Sequence, residues 1–398
     1  MFKTANVLAR FFATSSGSLK TEVAMKEPKI IFVLSAFTVG GAEKQWAIYL
    51  KNRPRDFDVD IEIITIHPTT SGSAHVEGMF RELGVKITLV SHPDMSFPQF
   101  FWTLYRTIQR SKPTLVHTVL TGSVGTWGRL AAWLAGVPYI VQSDLTMMLE
   151  FTRSHKLLDP FLNRQTDIFL PNAHAIADRL VRGGVPREKI FVMPNITDGE
   201  KFNPRKVKSL RSEWGIPENA VVAGFIARFR PEKRIDLLLE AMLLVPENER
   251  PDYLVMGGEG QTMPMVKERV AADRWLREHV KLLGTVENTP GFFASVDYTL
   301  LTSDSEGIPN VVLEAMAMEK PVVATRVSDV PIVLEGAGFL ADMGDAAGIA
   351  EGIRKVQAMT PEERNALGKK GRAKVLEQFE LSKAAKAFWD VHKKVLQS

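Results

Sequence analysis

Two glutamates eight positions apart, Glu306 and Glu314, enclose a glycine and a proline in the segment SDSEGIPNVVLEAM, residues 303–316. Glycine frees the backbone, and proline suits a first helical position, so the segment predicts a helix that begins near Pro309. The first amides of such a helix have no acceptor within it and point outward. The segment therefore predicts an anion site at a helix N-terminus.

The two acids have different expected roles because they lie on different sides of this helix start. Glu306 lies in the loop before the helix, so its carboxylate can project into a cleft. Glu314 lies in the first turns, where a carboxylate can accept hydrogen bonds from the two hydroxyls of a ribose. The alternative is that both acids only complement the positive end of the helix dipole.

Two cations follow the apolar stretch AGFIA. Arg228 and Lys233 lie on the turn that leads into IDLLLEAM, where a strand's carboxyl end meets a helix N-terminus. An arginine fork and a lysine point charge can together neutralise a diphosphate. A solvated basic loop is the alternative. The next apolar stretch, YLVM, ends in the glycine-rich turn of residues 257–260, where backbone can approach a ligand closely.

Alternating strands and helices must position these side chains. Continuous apolar runs such as KIIFVL are typical of parallel strands buried on both faces. Further predicted strands are DVDIEIITI, VKITLV, TLVHTVL, PYIVQS, DIFLP and KIFVMP before a polar linker at 194–220, and AVVAGFIAR, DYLVMGG, VKLLGTV, DYTLLTS and KPVVATR after it. Helical segments separate them, which indicates two doubly wound α/β domains facing each other across a cleft.

Bulk composition limits the function classes. The 398 residues suit two domains, and a net charge of +4 is too small to indicate nucleic acid binding. The absence of cysteine excludes disulfides, a thiolate nucleophile and a Cys-based zinc site. No apolar run is long enough to span a bilayer. Residues 1–27 form an N-terminal extension, basic and apolar at its start, interpreted as an organellar transit peptide or a disordered or membrane-skimming segment.

In combination, these motifs resemble family 4 of the retaining glycosyltransferases, which have the GT-B fold. The resemblance covers about residues 29–380. It includes the segments already quoted together with GGAE at 40–43, LVHT at 115–118, GRLAAWLAGVP at 128–138 and PN at 194–195. It implies an N-terminal acceptor domain over 28–198 and a nucleotide-sugar donor domain over 199–375. Residues 376–398 are then expected to form a C-terminal helix that returns to the N-terminal domain.

The resemblance implies transfer of a sugar, with retained anomeric configuration, from a nucleoside diphosphate sugar to a hydroxyl. UDP-sugars are the favoured donors, and GDP-mannose is next. Glu306, Arg228 and Lys233 are the implied catalytic residues. The implied donor-binding residues are Gly40, Gly41, Gly258, Thr285, Gly307, Ile308, Pro309, Asn310 and Glu314. No cofactor or metal is implied, although Asp56, Asp58 and Asp60 have the spacing of a metal-binding acid motif.

The acceptor side departs from the family pattern. Asp144 stands where many members have a histidine, and an acid donates no hydrogen bond at neutral pH unless its pKa is strongly raised. Val119 replaces a second histidine, and Ser328-Asp329 replaces a usual Gly-Gly. His117 is either an acceptor-side residue or a structural histidine at a strand end, and Glu43 is either an acceptor contact or a helix N-terminal acid.

The expected acceptor is a lipid-linked or cell-envelope glycan. Residues 95–113 combine aromatic and basic side chains, which favours an anionic membrane surface as a further partner, although the helix can instead pack on the sheet. The protein is then expected in the cytoplasm, peripheral on the inner face of the membrane. The alternative functions are a GT-B-type nucleotide-sugar epimerase or phosphorylase and a non-catalytic nucleotide-sugar-binding subunit.

Overall fold

The computed structural model of the chain describes residues 27–37, 41–69, 74–92, 94–119, 123–145, 147 and 153–398. Within these residues the chain forms two six-stranded parallel sheets. The first contains β1 Lys29–Leu34, β2 Asp60–Thr65, β3 Lys86–Leu89, β4 Leu115–Val119, β5 Tyr139–Asp144 and β6 Ile168–Pro171. The second contains β7 Val222–Ile226, β8 Tyr253–Gly257, β9 Val280–Gly284, β10 Tyr298–Leu301, β11 Val322–Thr325 and β12 Gly338–Ala341.

Helices cover both faces of each sheet. Those of the first half are α1 Gly41–Lys51, α2 Ala74–Arg81, α3 Phe97–Ser111, α4 Ser123–Leu134, α5 Arg153–Gln165 and α6 His174–Arg182. Those of the second half are α7 Ile235–Leu244, α8 Met263–Ala272, α9 Arg274–His279, α10 Thr289–Ser295, α11 Asn310–Ala317, α12 Val330–Leu334, α13 Ala346–Gln357, α14 Pro361–Gln378 and α15 Leu381–Gln397.

The strand order is the same in both sheets. It is β3-β2-β1-β4-β5-β6 in the first and, read from the other end, β9-β8-β7-β10-β11-β12 in the second. This is the order of Rossmann-type domains, in which ligands bind beyond the carboxyl ends of the strands where the order reverses. The predicted pair of doubly wound domains is therefore confirmed.

The strand KIIFVL shows how the sequence produces this layering. Ile30, Phe32 and Leu34 pack into the apolar cluster that contains residues of α1 and α15, whereas Ile31 and Val33 pack into the cluster of α3 and α4. Side chains alternate across a strand, so both faces of β1 are buried and every position from Ile30 to Leu34 is apolar.

Two segments differ from the sequence prediction. KIFVMP lies beside β6 but forms only an isolated bridge between Phe169 and Ile190, preceded by a short 3-10 turn. The strand β12 was not predicted, because its four residues include a glycine and are mostly half-buried. The predicted linker packs on the second domain, where Arg211 binds the carbonyls of Ser295 and Ala220.

The chain crosses between the two domains twice, and the crossings lie side by side. Thr197 N–H donates to Phe379 O at 3.1 Å, and Thr197 and Glu380 form an isolated parallel bridge. After this point α15 packs on the first sheet, where Phe388 and Trp389 are fully buried. Of the N-terminal extension expected at 1–27, only Glu27 lies within the described residues.

Candidate active site

Lys233 and Glu306 meet in the second domain. The Lys233 ammonium lies 2.5 Å from Glu306 Oε1, and the two side chains are 20% and 12% exposed. Lys233 ends the short 3-10 turn Pro231–Lys233 after β7, and Glu306 lies in the loop after β10. β7 and β10 are neighbours at the centre of the sheet, so their carboxyl ends bring the two predicted catalytic side chains together. An ammonium has three donors and can hold a carboxylate and a further anion at once.

The loops that carry this pair are tied to each other. Asp304 N–H donates to Glu232 O at 2.9 Å, and the Thr302 hydroxyl donates to Lys233 O at 2.8 Å. Arg234, in a left-handed conformation with φ 47°, forms an ion pair with Asp304 at 2.8 Å. These contacts fix the backbone on both sides of the Lys233–Glu306 pair, so the pair is preorganised.

The glycine-rich turn lies against the turn that holds Arg228. Gly258 has φ 137°, and a side-chain carbon there would overlap Ala227 O. Gly260 has φ 150°, and a side-chain carbon there would overlap Phe229 O. Arg228 itself is half-buried, and Thr285 is exposed directly after β9. Glycine is required here because the two backbones touch.

Helix α11 begins at Asn310, with Pro309 as its N-cap residue. Glu314 lies in its second turn and is half-buried, while Gly307, Ile308 and Pro309 are buried. The first amides of a helix lack intrahelical acceptors and carry the positive end of its dipole. The predicted helix N-terminus therefore follows Glu306 in the chain by four residues. It lies at the carboxyl edge of the second sheet, as the Lys233–Glu306 pair does.

The first domain covers this loop with three amide side chains to which the sequence analysis assigned no role. A side-chain carbon on Gly307 would overlap the amide of Asn172, which directly follows β6. Asn195 Nδ2 donates to Ile308 O at 2.7 Å, and Gln45 Nε2 reaches Asn310 Oδ1 at 3.3 Å. The carboxyl edges of the two sheets thus face each other across the loop of residues 307–310.

His117 lies in the core of the first domain. His392 Nδ1 donates to Phe388 O at 2.8 Å, so its Nε2 accepts from His117 Nδ1 at 2.9 Å. His117 Nε2 then accepts from the Ser143 hydroxyl at 2.8 Å. Burial lowers the pKa of His117 well below its usual value and that of His392 to about 4. This geometry matches the structural alternative considered for His117.

Asp144 is also buried, at the end of β5. Gln142 Nε2 donates to Asp144 Oδ1 at 2.9 Å, and Arg179 Nη2 lies 3.4 Å from Asp144 Oδ2. Burial raises the pKa of the Asp144 carboxyl above its ordinary value, and the Arg179 charge opposes that rise. The segment of residues 148–152 that follows is outside the described residues, as is Gly40. Gly41 and Glu43 lie in the first turn of α1.

The acid triplet at 56–60 is divided among different contacts. Asp56 pairs with Lys393 at 2.7 Å, and Asp60 pairs with Lys29 at 3.2 Å. In the part of the chain that the structure describes, no group of three His, Cys, Asp or Glu side chains is arranged to hold a metal ion. Over the same residues, no helix is both long and apolar enough to cross a membrane.

Comparison with known families identifies the family of the chain. Residues 220–358 match the family described as Glycosyl transferases group 1, and residues 48–196 match a Glycosyl transferase 4-like domain. The chain belongs to the group 1 glycosyl transferases. Within this family it has the GT-B arrangement of two Rossmann-like domains, and the first match contains the Lys233 turn and the Glu306 loop.

Two characterised relatives and one solved structure show the range of this family. The chain is 28% identical to the N-acetyl-alpha-D-glucosaminyl L-malate synthase of Bacillus anthracis over 250 residues, which cover 60% of this chain and 64% of that protein. It is 27% identical to the UDP-Gal:alpha-D-GlcNAc-diphosphoundecaprenol alpha-1,3-galactosyltransferase of Escherichia coli over 303 residues, 73% of this chain and 78% of that protein. The match to the first relative thus spans less than two thirds of its length.

The solved structure is similar in fold. Anabaena Alr3699/HepE in complex with UDP and glucose has a TM-score of 0.78 at 21% identity, covering 92% of this chain and 100% of that chain. At this level of identity the likeness extends to the fold alone.

Proposed function

We propose that this protein transfers a sugar from a UDP-sugar to a hydroxyl of a lipid-linked or cell-envelope glycan, with retention of configuration and without a metal ion. The Lys233–Glu306 pair, with its 2.5 Å contact beside the start of α11, carries this proposal. It offers a cation and a helix N-terminus to a diphosphate and a carboxylate to a sugar hydroxyl. GDP-mannose is the second candidate donor.

The chemistry requires charge stabilisation on the leaving group. Transfer breaks the bond between the anomeric carbon and a diphosphate oxygen, and the acceptor oxygen bonds to that carbon from the same face. The acceptor's proton passes to the departing phosphate. Arg228, Lys233 and the first amides of α11 stabilise the developing negative charge, which is the task that a divalent metal performs elsewhere. Glu306 holds the donor sugar, and Glu314 holds the ribose.

The choice of donor and acceptor is supported by the relatives. The Escherichia coli relative is named for a UDP-galactose donor and a diphosphoundecaprenol-linked acceptor, and the Anabaena structure contains UDP and glucose. We extend the donor base and the lipid-linked acceptor from these proteins to this chain.

A screen of nucleotide sugars tests the donor proposal. The purified protein is heated with UDP-, GDP- and ADP-sugars, and we expect a UDP-sugar to raise the melting temperature most, because ligand binding stabilises the folded state. Product formed with an undecaprenyl diphosphate-linked sugar, with and without EDTA, is then examined by NMR. Inverted configuration, or EDTA-sensitive transfer, would contradict the mechanism, and an epimerised donor formed without acceptor would favour the epimerase alternative.

An exposed apolar and basic surface on the first domain fits a membrane-bound acceptor. Helices α3, α4 and α5 lie side by side on one face of the sheet. Their outer side exposes six apolar side chains: Phe97, Trp102, Trp133, Leu134, Leu157 and Phe161. Trp102 is 55% exposed, and Leu157 is 79% exposed. We refer to these six residues as the three-helix patch.

The charges around the three-helix patch are basic. Arg106, Arg110, Lys156 and Arg164 are exposed, and the Arg106 guanidinium lies 4.6 Å from the centre of the Trp102 ring. Among the described side chains of α3, α4 and α5, the only acid is Asp159, which Arg129 binds at 2.8 Å. Aromatic and basic side chains on one surface suit the headgroup region of an anionic bilayer. We therefore place the protein in the cytoplasm, peripheral on the inner face of the cell membrane.

Vesicle sedimentation tests this surface. We expect binding to phosphatidylglycerol vesicles that exceeds binding to phosphatidylcholine vesicles and weakens with salt. The double variant Trp102→Ser, Leu157→Ser is expected to lose this binding, whereas Leu244→Ser, at a residue 54% exposed on the second domain, retains it. Equal binding by the two variants would contradict the assignment, and loss of a dimer in the double variant would instead indicate a contact between copies.

A further inference from the structure

A carboxylate of the second domain holds a helix of the first. Asp329 Oδ2 accepts from His174 N–H at 2.6 Å, and Asp329 Oδ1 accepts from Ala175 N–H at 3.0 Å. These are the first two amides of α6, and Asp329 is 3% exposed. The contact therefore joins the two domains and is shielded from water.

The local sequences explain why α6 depends on this contact. The N-cap residue of α6 is Ala173, which has no side-chain acceptor for the helix amides. Asp329 is in turn the N-cap residue of α12, yet its side chain accepts no hydrogen bond from that helix. Ser328 precedes it with φ 48°, a conformation that is uncommon outside glycine. The carboxylate is thus directed to the other domain's helix rather than to its own.

The turn that Asp329 holds, at the start of α6, covers the loop of residues 307–310. We refer to this loop as the donor loop. Asn172, which packs on Gly307, lies two residues before the first helical residue of α6. Asn195 binds the adjacent Ile308 carbonyl from the same domain. A contact that holds the start of α6 in place therefore also holds Asn172 in place against the donor loop at residues 307 and 308.

We propose that Asp329 is a positioning residue that keeps the first domain closed over the donor loop, a role that rests on the proposed function of that loop. A carboxylate accepts one N–H with each oxygen and complements the positive helix end. An asparagine keeps the shape, loses the charge and turns an N–H₂ group toward one of the two amides.

The variant Asp329→Asn tests this role against Asp345→Asn. Asp345 caps α13 by accepting from Gly348 N–H at 2.9 Å, a contact contained within the second domain. We expect Asp329→Asn to increase the radius of gyration in solution scattering and to lower kcat/KM by up to about tenfold, the scale of a lost helix cap. Asp345→Asn is expected to change the melting temperature by about as much as Asp329→Asn does, and to leave the radius of gyration unchanged.

The titration of UDP separates this proposal from the donor assignment. UDP is expected to bind Asp329→Asn because Lys233 and α11 are intact. Failure of UDP to bind the wild-type protein would contradict the proposed function, whereas the scattering comparison would still report on closure. An unchanged radius of gyration in Asp329→Asn, or an equal increase in Asp345→Asn, would overturn the role of Asp329.

Discussion

Lys233 and Glu306 are the residues on which transfer should depend most directly. Lys233→Ala removes the cation that we propose contacts the diphosphate, and it leaves the Glu306 carboxylate without its 2.5 Å partner. We expect kcat to fall at least about a hundredfold, the scale of losing one preorganised charge-stabilising donor. Turnover with a UDP-sugar and an acceptor is the measurement.

A matched lysine provides the control for this substitution. Lys386 pairs with Asp390 at 2.5 Å on the exposed side of α15. Lys386→Ala removes an ion pair of the same length away from the donor loop, so its turnover should equal that of the wild type. Near wild-type turnover in Lys233→Ala, with circular dichroism showing both variants folded, would contradict the site.

The buried histidine pair predicts a pH dependence of stability. The pKa values of His117 and His392 are lowered in the folded protein, that of His392 to about 4, while an unfolded histidine titrates near its ordinary value. Below about pH 6.5 the unfolded chain binds more protons than the folded one, so the free energy of unfolding falls as the pH falls. Each histidine should contribute about 1 kcal/mol to the loss between about pH 7.5 and pH 5.5.

Urea unfolding of His392→Gln at the two pH values checks this dependence. The variant removes one titrating group, so it should lose less stability on acidification than the wild type does, whatever its stability at neutral pH. A second variant, His279→Gln, changes a half-buried histidine on α9 that lies outside the pair, and serves as the comparison. Identical slopes in all three proteins would show that the pair does not govern the acid response.

Prediction from sequence succeeded at the residues whose neighbours in the chain define their surroundings. The start of α11 could be predicted because Gly307 and Pro309 mark a helix terminus locally. Asn172, Asn195 and Asp329 could not be predicted, because each acquires its role from a partner more than 100 positions away in the chain. The core position of His117 likewise depends on His392, 275 residues later.

At the scale of elements, the fit between β6 and α11 can be tested at Gly307. A methyl group there would overlap the amide of Asn172, so Gly307→Ala should displace the loop that leads into α11. We expect kcat/KM to fall by about a hundredfold, because small displacements at a reacting centre are costly. Steady-state kinetics with the UDP-sugar measures the change.

A double-mutant cycle identifies the cause of that loss. Asn172→Ala removes the atoms that the new methyl group would meet, so Gly307→Ala should cost much less in that background. Gly78→Ala serves as the control for substituting a glycine, because no atom lies within 4 Å of the added carbon and the residue does not have a positive φ. Additive effects of Gly307→Ala and Asn172→Ala would show that the two elements do not meet through these side chains.

The boundaries of a strand could be predicted best where both faces of the strand are buried. β1 is apolar at Ile30–Leu34 because both its faces are covered, whereas the edge strand β12 is short and only partly covered. KIFVMP has the apolar content of a strand but follows a 3-10 turn and bonds to β6 over too few residues to form a regular ladder. Periodicity reports on burial, and it weakens where a sheet ends.

At the scale of the whole molecule, the last helix belongs to the first domain. Trp389 is fully buried in the cluster that contains β1, and its Nε1 donates to Tyr49 O at 2.8 Å. Trp389→Ala should lower the free energy of unfolding of the first domain by about 3–5 kcal/mol through the cavity that it leaves. Hydrogen exchange should show lost protection in β1 and β4 and unchanged protection in β7 and β8.

An exposed tryptophan gives the comparison. Trp102→Ala, at a side chain 55% exposed, should change stability by no more than about 0.5 kcal/mol. A loss of protection spread evenly over both domains in Trp389→Ala would mean that the molecule unfolds as one unit instead.

The position of α15 in the chain also sets the order in which the protein can be made. The first domain leaves the ribosome first, but Phe388 and Trp389, which complete its core, are translated only after the entire second domain. The second domain has its last strand by Ala341 and its last core side chains, Val375 and Phe379, before α15 begins, so it can close its own core before α15 completes the first domain. We therefore expect the domain translated second to mature first, with the earlier one waiting for its final helix.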